Sequence, residues 1–365
     1  MHIKTLKLQN FRNYEDARFV LDPAVNLICG ENGQGKTNLL EAAAACSTMR
    51  LFRTAQKKEG LRFGEDAAFI CSEFEAQGRE NTLELRLSRL RAMEIYKNGV
   101  RQKRQSDVQG LLKTVLFCPE DLMLVRAGAA ARRRLLDTAL CQLRPNYARA
   151  LAEYTKLLDS KSRILKDWHE MPSLLEPLPE FSLRMAQVGA VVISYRARYL
   201  RALSEAAAEY HAEFSGGSEA LTLAYQTVST VTDPFASQQT LFEQLMEHQK
   251  RHERAELDSG QCLSGPHKDD FETAIGGRSV KSYGSQGQTR TASISLKLAE
   301  RELMRRDTGE EPLLLLDDVL SELDAKRQDF VLNQIRSGQV LITCCETDRL
   351  TELGKVMLIR GGALV

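Results

Sequence analysis

The chain has 365 residues, 43% of them hydrophobic, which is enough to build folded cores in two or three lobes. Lys and Arg number 50 against 49 Asp and Glu, so any attraction to nucleic acid must come from local patches and not from the net charge of +1. The eight cysteines include no C-x-x-C pair, and neither an apolar targeting segment nor a bilayer-length apolar stretch is present. These features predict a folded, cytoplasmic protein with reduced thiols and argue against a secreted or membrane-spanning one.

The first third of the chain reads mainly as strands. Residues 2–8 alternate polar and apolar, and an apolar pair at 20–21 precedes a proline, so we expect an antiparallel hairpin. Residues 25–29 form a short apolar strand that runs into a glycine-rich loop and a helix. Residues 69–96 alternate again as strands, and Asn98-Gly99 predicts a hairpin turn.

Two helices with apolar stripes follow, at residues 147–168 and 181–206, separated by Pro172, Pro177 and Pro179. This pattern predicts a helical hairpin arm within about residues 130–215, in which each helix buries its stripe against the other. Lys161 lies on the first stripe, where an apolar residue would be expected.

The remainder alternates strands and helices. Strand patterns at 221–228 and 262–275 flank another helical stretch. The chain then reads as a helix at 285–305, a strand at 313–316, a helix at 325–336 and a strand at 340–343.

Residues 30–37 match the phosphate-loop pattern G-x-x-x-x-G-K-[ST] and lie between a strand and a helix. They are Gly30, Glu31, Asn32, Gly33, Gln34, Gly35, Lys36 and Thr37. In such a loop the backbone N–H groups and the helix N-terminus surround phosphate, Lys36 neutralises the β and γ phosphates of a nucleotide, and Thr37 offers its hydroxyl to Mg²⁺. A glycine-rich turn without a ligand is the weaker alternative, because every fixed position of the pattern is matched.

The apolar strand at 313–316 ends in Asp317-Asp318. Asp317 would hold Mg²⁺, and Asp318 would orient and deprotonate the attacking water, so Lys36, Asp317 and Asp318 are the candidate catalytic residues. Strands often end in acids that cap the next helix, so the pair gains weight only together with Lys36.

Lys36 and Asp317 are 281 positions apart, far more than one strand-helix-strand crossover requires. We therefore expect one nucleotide-binding lobe split by a large insertion. The predicted parts are residues 1–125 with the phosphate loop, an inserted and mainly helical lobe at 126–260, and residues 261–365 with the acidic strand. The spacing and the absence of an N-K-x-D motif argue against small GTPases and nucleotide kinases.

The stretch Gly284-Ser285-Gln286-Gly287-Gln288 precedes a helix upstream of the acidic strand. At this point the chain resembles the ABC-type ATPases, although Gln286 replaces a glycine of their usual signature. The resemblance implies that Ser285, Gly287 and Gln288 complete the nucleotide site of a second copy, so that ATP holds a head-to-tail homodimer. It also implies that Asp324 crosses the dimer interface. From the residues alone, Ser285 could be an ordinary helix N-cap and Asp324 a plain acid at a helix start.

Within that class the chain resembles the RecF family, which is related to the SMC and Rad50 heads. The resemblance covers nearly the whole length, and its motifs are residues 8–14 (LQNFRNY), 117–122 (FCPEDL), 132–137 (RRRLLD) and 263–270 (LSGPHKDD), together with the phosphate loop, signature and acidic strand. The predicted arm, some seventy residues in two antiparallel helices, would reach only about 50 Å, far less than SMC or Rad50 arms. The resemblance implies an α/β fold, an ABC-type ATPase head with a mixed sheet, flanking helices and an inserted helical hairpin lobe.

The resemblance implies a function as well. It implies an ATP-dependent DNA-binding protein of recombinational repair and replication restart, whose dimer clamps DNA near single-strand gaps or duplex junctions. RecR and RecO would be its partners, RecA would be loaded afterwards, and slow ATP hydrolysis would reset the dimer. Two departures from ABC proteins bear on the hydrolysis rate: residues 117–122 offer Glu120 and Asp121 but no Q-loop glutamine, and residues 343–347 contain no switch histidine.

Two clusters of basic residues are candidates for DNA contacts, although such runs are often solvated faces. They are Arg50, Arg53, Lys57, Lys58 and Arg62, and Arg101, Lys103 and Arg104. No run of aromatic residues suggests a platform for stacked bases, which favours duplex binding. The alternative function is a nucleotide-gated interaction module with negligible hydrolysis. A metabolic phosphate-loop enzyme is less consistent with the sequence, which has no recognisable substrate domain.

Overall fold

The computed structural model describes residues 1–54, 56–335, 337–345 and 351–365. The chain divides into two compact units, the first made of Met1–Met123 with Ser293–Val365 and the second of Leu124–Ala292. Across the described ranges, no helix combines the length and the apolar character needed to cross a membrane.

The strands are β1 (His2–Phe11), β2 (Tyr14–Val20), β3 (Val25–Cys29), β4 (Ala67–Ala76), β5 (Arg79–Ser88), β6 (Glu94–Lys97), β7 (Val100–Arg101), β8 (Thr114–Phe117), β9 (Leu221–Gln226), β10 (Asp270–Ile275), β11 (Arg278–Ser279), β12 (Leu313–Leu316), β13 (Val340–Cys344), β14 (Lys355–Arg360) and β15 (Ala363–Leu364). The α-helices are α1 (Lys36–Thr48), α2 (Ala129–Leu143), α3 (Pro145–Asp167), α4 (Leu178–Ser215), α5 (Gln238–Ser259), α6 (Val280–Tyr283), α7 (Gln286–Thr308) and α8 (Ala325–Asn333).

The first unit contains two six-stranded sheets. One is antiparallel, in the order β2-β1-β4-β5-β6-β7, and includes the predicted N-terminal hairpin. Lys97 pairs with Val100 across Asn98-Gly99, and both turn residues have positive φ, so the predicted hairpin turn is confirmed. The other sheet has the order β15-β14-β3-β13-β12-β8, in which all pairs except β14 with β15 are parallel.

Helix α1 lies between these two sheets. It contacts β4 and β5 of the antiparallel sheet and β8 and β13 of the parallel sheet. Ala42–Ala45 are all buried. Their small side chains let the helix approach both sheets closely. The alanine run therefore fixes the helix that begins at the phosphate loop.

The strands β14 and β15 were not predicted from the sequence. Residues 356–360 alternate exposed and buried, with Met357 and Ile359 inside, so the signal was present but short. Two further predictions need correction. The helix at 325–336 ends at Asn333, with Arg336 outside the described residues, and the strand at 262–275 begins only at Asp270. Gly265 has a φ of 129°, and a 3-10 turn at Pro266–Lys268 replaces the extended chain expected there.

The second unit is built on an antiparallel pair of long helices, α3 and α4. Tyr147 packs edge-on against Tyr195, and Arg184 pairs with Glu153, so residue numbers rise along one helix as they fall along the other. Pro177 and Pro179 lie at the start of α4, where proline is tolerated, and the predicted helical hairpin is confirmed. With 38 residues, α4 is about 57 Å long. Helix α5 and a three-stranded sheet, β11-β10-β9, pack against α4.

Lys161 on α3 is buried because it has an ionic partner. Its Nζ lies 2.6 Å from Oε2 of Glu256 on α5, and the two side chains are 1% and 4% exposed. Oε1 of Glu256 also accepts hydrogen bonds from the N–H groups of Leu263 and Ser264, at 2.7 and 3.2 Å. The ion pair thus joins α3, α5 and the segment before β10.

A second buried polar group, here termed the Asp269 cluster, comprises Asp137, Tyr147, Arg196, Tyr225 and Asp269. The guanidinium of Arg196 donates two 2.9 Å bonds to Asp137 and one of 2.6 Å to the carbonyl of Pro266. Asp269 accepts from Tyr225 and Arg196 and, at 2.7 Å, from Thr227. Burial raises the pKa of Asp269, and the nearby guanidinium and hydroxyls oppose that shift. The segment 263–270 therefore holds the fold of the second unit together.

Candidate functional site

The phosphate loop joins the end of β3 to the start of α1. Gly30 has a φ of 151°, and a Cβ there would lie 2.4 Å from the carbonyl oxygen of Ile359. Gly35, the N-cap of α1, has a φ of 116° and is crowded by the Asn13 side chain. Both positions thus require glycine, and the backbone can curl as phosphate binding demands.

Lys36 is bent back over its own loop. Its ammonium donates to the carbonyls of Gly30 and Glu31, the second at 3.0 Å, and lies 3.3 Å from Sγ of Cys345. The residue is 7% exposed. Backbone carbonyls are partners that phosphate oxygens can replace, so the lysine is positioned to bind phosphate without a competing carboxylate.

Thr37 and Asp317 meet at the carboxyl edge of the parallel sheet. The hydroxyl of Thr37 donates to Oδ1 of Asp317 over 2.9 Å, and that of Thr343 donates to the same oxygen over 3.0 Å. Strands β3, β13 and β12 are parallel neighbours, so their carboxyl ends bring these groups together. Burial raises the pKa of Asp317, while the two hydroxyl hydrogen bonds favour its ionised form.

This pair fits Mg²⁺. Magnesium in nucleotide sites takes one or two protein oxygens and completes its octahedron with water and phosphate, and Thr37 and Asp317 present a hydroxyl and a carboxylate oxygen together. Within the described ranges, no group of three or more His, Cys, Asp or Glu side chains could hold a metal by itself.

Asp318 occupies an unusual backbone conformation. Its φ is 53°, which non-glycine residues rarely adopt, and its N–H donates to the Thr343 hydroxyl over 2.7 Å. Its carbonyl accepts from the Ser321 hydroxyl at 2.7 Å. These two bonds hold the strained residue next to Asp317, as is common at functional sites.

The residues that brace the phosphate loop were missed by the sequence reasoning. Asn13 Nδ2 and the N–H of Gly362 both donate to the carbonyl of Gln34, at 2.8 and 3.0 Å, and the N–H of Gly361 donates to the Gln34 side chain at 2.6 Å. The buried Tyr14 hydroxyl donates to the carbonyl of Gly35 over 2.9 Å. The motif at residues 8–14 and the glycine pair after β14 were the available signals.

Arg12, next to these residues, forms an ion pair with Glu41 of α1. Its guanidinium donates two hydrogen bonds to the carboxylate, at 2.7 and 3.0 Å, and Glu41 is fully buried. The backbone N–H of Arg53 donates to the same carboxylate at 3.1 Å. The pair ties the turn between β1 and β2 to the helix that follows the phosphate loop.

Ser285 and Gln288 form a reciprocal capping box at the start of α7. The N–H of Gln288 donates to Oγ of Ser285 over 3.1 Å, and the N–H of Ser285 donates to Oε1 of Gln288 over 2.9 Å. Gln288 also donates to Glu219 at 2.8 Å, and Gly287 lies in the first turn of the helix. These residues belong to the second unit, so in this single chain they have a local structural role.

Asp324 is likewise the N-cap of its helix, α8, where it accepts from the N–H of Arg327 at 3.1 Å.

The remaining loop residues predicted to bind nucleotide, Glu31, Asn32 and Gly33, are exposed. Asp121 closes its own turn by accepting from the N–H of Cys118 at 3.0 Å. Glu346 and Thr347, in the segment that lacks a switch histidine, lie outside the described residues.

Comparison with known proteins places this geometry in a family. A family model described as the RecF/RecN/SMC N-terminal domain matches residues 2–361. The DNA replication and repair protein RecF of Agathobacter rectalis is 38% identical over 352 residues, which cover 96% of this chain and 94% of that protein. A solved structure of the recombination mediator protein RecF with ATP, of the RecFOR pathway, superposes with a TM-score of 0.91 at 31% identity, covering 100% of this chain and 97% of that one.

The head domain of an SMC protein from Pyrococcus furiosus has a TM-score of 0.55 at 15% identity, covering 100% of this chain and 95% of that one, and shares the fold alone. The predicted fold class, an ABC-type ATPase head of mixed α/β structure, is confirmed. The family model that matches residues 2–361 and the 38% identity to a relative over 96% of the chain show that the chain belongs to the RecF family.

Proposed function

We propose that this protein binds ATP at residues 30–37, with Mg²⁺ held by Thr37 and Asp317. In that state it closes a homodimer on DNA, and it acts in recombinational repair and replication restart in the cytoplasm. The observation that carries the proposal is the 2.9 Å hydrogen bond between Thr37 and Asp317, which joins the phosphate loop to an acidic strand 280 positions away. Bound Mg²⁺ would neutralise charge on the β and γ phosphates.

Each residue then has a defined task. Lys36 would exchange its carbonyl partners for phosphate oxygens, and Thr37 and Asp317 would hold Mg²⁺. Asp318 takes the proton of the attacking water and is positioned for this by its bonds to Thr343 and Ser321. Asn13 and Tyr14 keep the loop carbonyls fixed while the ligand binds.

A second copy would complete the site. Ser285, Gly287 and Gln288 at the start of α7 would meet the γ phosphate of the partner's ATP, where the helix N-terminus favours an anion. The two hydrogen bonds of the capping box are local and exposed, so they can be exchanged for bonds to phosphate. Asp324, whose side chain is 48% exposed, would lie in the interface between copies.

DNA binding is supported by the basic residues of the first unit. Arg62 and Arg101 pair with Glu15 and Glu94, each at 2.8 Å. Six others are exposed and, among the described residues, have no carboxylate within ion-pair distance: Arg50, Arg53, Lys57, Lys58, Lys103 and Arg104. Unpaired surface cations suit contacts to the phosphate backbone of DNA. RecR and RecO are proposed partners and RecA loading the proposed outcome, on the basis of family membership alone.

The first experiment measures molecular mass in solution by light scattering, with ATP and Mg²⁺, with ADP, and without nucleotide. We expect a dimer for the wild type only with ATP, and a monomer for Lys36→Met in every condition. Lys166→Met, which removes an exposed lysine of α3, is the matched control and should dimerise normally. A wild-type protein that stays monomeric with saturating ATP, in the presence and absence of DNA, would refute the composite site.

Binding to gapped duplex DNA tests the clamp itself. Affinity should rise with ATP and fall steeply as salt is increased, because phosphate contacts release counterions. An affinity that is indifferent to both would contradict the clamp.

The alternative, a nucleotide-gated interaction module with negligible turnover, is favoured by the lack of a histidine in residues 343–347. Asp318→Asn separates the two functions. If hydrolysis resets the dimer, this variant should lose ATPase activity and form a longer-lived dimer. An ATPase rate equal to the low wild-type rate would favour the alternative.

A further inference from the structure

Three cysteines lie where the parallel sheet meets the phosphate loop. Cys29 ends β3 and Cys344 ends β13, and the two are register partners with Sγ atoms 2.9 Å apart. Both are buried, with 1% and 8% exposure. Cys345, the next residue, is exposed. Thiols of contrasting accessibility therefore lie side by side at the edge of the candidate nucleotide site.

The thiol of Cys345 lies against the loop itself. Its Sγ accepts from the ammonium of Lys36 over 3.3 Å and donates to Oδ1 of Asn32 over 3.1 Å. The sulfur therefore occupies one of the positions around the ammonium that a phosphate oxygen would take. Reactive cysteines are accessible and lie beside cations, and this one meets both conditions.

The other cysteines do not. All eight lie within the described residues, and Cys345 is the one that is exposed. Burial raises the pKa of Cys344, Cys71 and Cys262, which keeps their sulfurs as protonated, unreactive thiols. They provide an internal reference for the reactivity of Cys345.

We propose that Cys345 is a redox-modification site that switches nucleotide binding off when a peroxide oxidises it. The proposal rests on the ATP site proposed above. The sulfur attacks one oxygen of hydrogen peroxide, the O–O bond breaks, and the thiol becomes a sulfenic acid while the second oxygen leaves as water with the thiol proton. The added oxygen lies beside Lys36 and competes with phosphate for the ammonium. Two equivalents of a small thiol reduce the sulfenic acid back to the thiol through a mixed disulfide, with release of water.

The first test measures where and how fast the protein is oxidised. The full-length protein is treated with hydrogen peroxide, sulfenic acid is trapped with dimedone, and each cysteine is quantified by peptide mass spectrometry. We expect labelling at Cys345 ahead of the other seven cysteines, slowed about 100-fold by ATP with Mg²⁺ at about 100 times its Kd. Equal labelling with and without ATP, or labelling spread evenly over the cysteines, would overturn the proposal.

The second test measures ATP binding by calorimetry before oxidation, after it, and after reduction with dithiothreitol. Oxidation should weaken binding at least about tenfold, and reduction should restore it. In Cys345→Ser the Kd should be the same before and after peroxide. Cys118→Ser, which alters a half-buried thiol after β8, should remain as sensitive as the wild type.

The outcomes distinguish the two proposals. A reduced protein that binds no ATP would overturn the proposed function together with this inference. A reduced protein that binds ATP and keeps its affinity after Cys345 is fully oxidised would overturn the redox switch alone.

Discussion

The polar groups of the phosphate loop and those of the Asp269 cluster are held in opposite ways. In the loop, Lys36 is held by backbone carbonyls and a thiol, and Thr37 by one carboxylate oxygen. In the cluster, Arg196 contacts two carboxylates and a carbonyl and is 3% exposed. A ligand can replace the partners of Lys36 and Thr37. The Asp269 cluster is buried, so neither solvent nor a ligand can replace the partners of its side chains.

The difference separates residues that serve a ligand from residues that serve the fold. Buried charges are tolerated only when they are paired and hydrogen-bonded, and removing one partner leaves the other uncompensated. Breaking pairs in the second unit should therefore cost stability, and changes at the loop should cost nucleotide affinity while leaving stability nearly unchanged. Three predictions test this division, beginning with the largest expected effect.

Replacing Lys161 with Met should lower the free energy of unfolding by about 3 to 5 kcal/mol, because it leaves the carboxylate of Glu256 buried without its ionic partner. Urea denaturation followed by circular dichroism measures the loss. Lys156→Met, at an exposed position on the same helix, is the control and should change stability by less than about 0.5 kcal/mol.

A double variant sharpens this result. Glu256→Gln removes the buried charge and keeps an oxygen that can accept from Leu263 and Ser264, so Lys161→Met with Glu256→Gln should be more stable than Lys161→Met alone. If the double variant is less stable than the single one, the cost does not arise from an unpaired charge.

His267 should make the second unit sensitive to acid. Its Nε2 donates to the carbonyl of Cys262 over 2.9 Å and its Nδ1 accepts from the Tyr154 hydroxyl over 2.7 Å, so the ring is bonded as the neutral form. Burial lowers the pKa of His267 to about 4, while the unfolded chain titrates at its usual 6.5. As pH falls from 6.5 to 4, the unfolded state binds the proton first, and stability should fall by up to about 3 kcal/mol.

The measurement is the urea midpoint as a function of pH, compared with that of His267→Asn. The variant should be less stable at pH 7 and should show a shallower decline toward pH 4. His169→Asn, which removes an exposed histidine, should keep the wild-type slope. Identical slopes for the wild type and His267→Asn would show that another group carries the acid sensitivity.

The contrast also explains what could be predicted from the sequence. Strand, loop and helix around residues 30–37 follow from local patterns, and so does the acidic strand, because phosphate binding imposes fixed residue types at fixed spacing. The helical hairpin follows from two apolar stripes and the prolines between them. The order of the strands in the parallel sheet does not follow, since the partners of β3 lie more than 300 positions away in β13 and β14.

Polar partners that lie far apart in the sequence also could not be predicted from local sequence patterns. Nothing near Lys161 in the sequence indicates Glu256, and its place on an apolar stripe was the only sign that it has a buried partner. Asn13 and Gly362 are 349 positions apart, yet both donate to the carbonyl of Gln34. Such contacts depend on the tertiary fold, which brings together segments with no common periodicity.

The smallest predicted effect concerns Asn13, which contacts the phosphate loop but lies outside its motif at residues 30–37. Asn13→Ala removes the 2.8 Å hydrogen bond to the carbonyl of Gln34 and the acceptor for the side chain of Asn38. The N–H of Gly362 still supports that carbonyl, so we expect ATP affinity to fall only about fivefold, equivalent to about 1 kcal/mol, with an almost unchanged unfolding midpoint.

Calorimetric titration with ATP and urea denaturation of the same preparation give both quantities. Asn81→Ala, which removes a side-chain bond to the carbonyl of Arg79 at the start of β5, is the control and should alter neither. If Asn13→Ala lowers stability by several kcal/mol and leaves ATP affinity unchanged, Asn13 serves the fold as Lys161 does, and the division between the two regions does not extend to the residues that brace the loop.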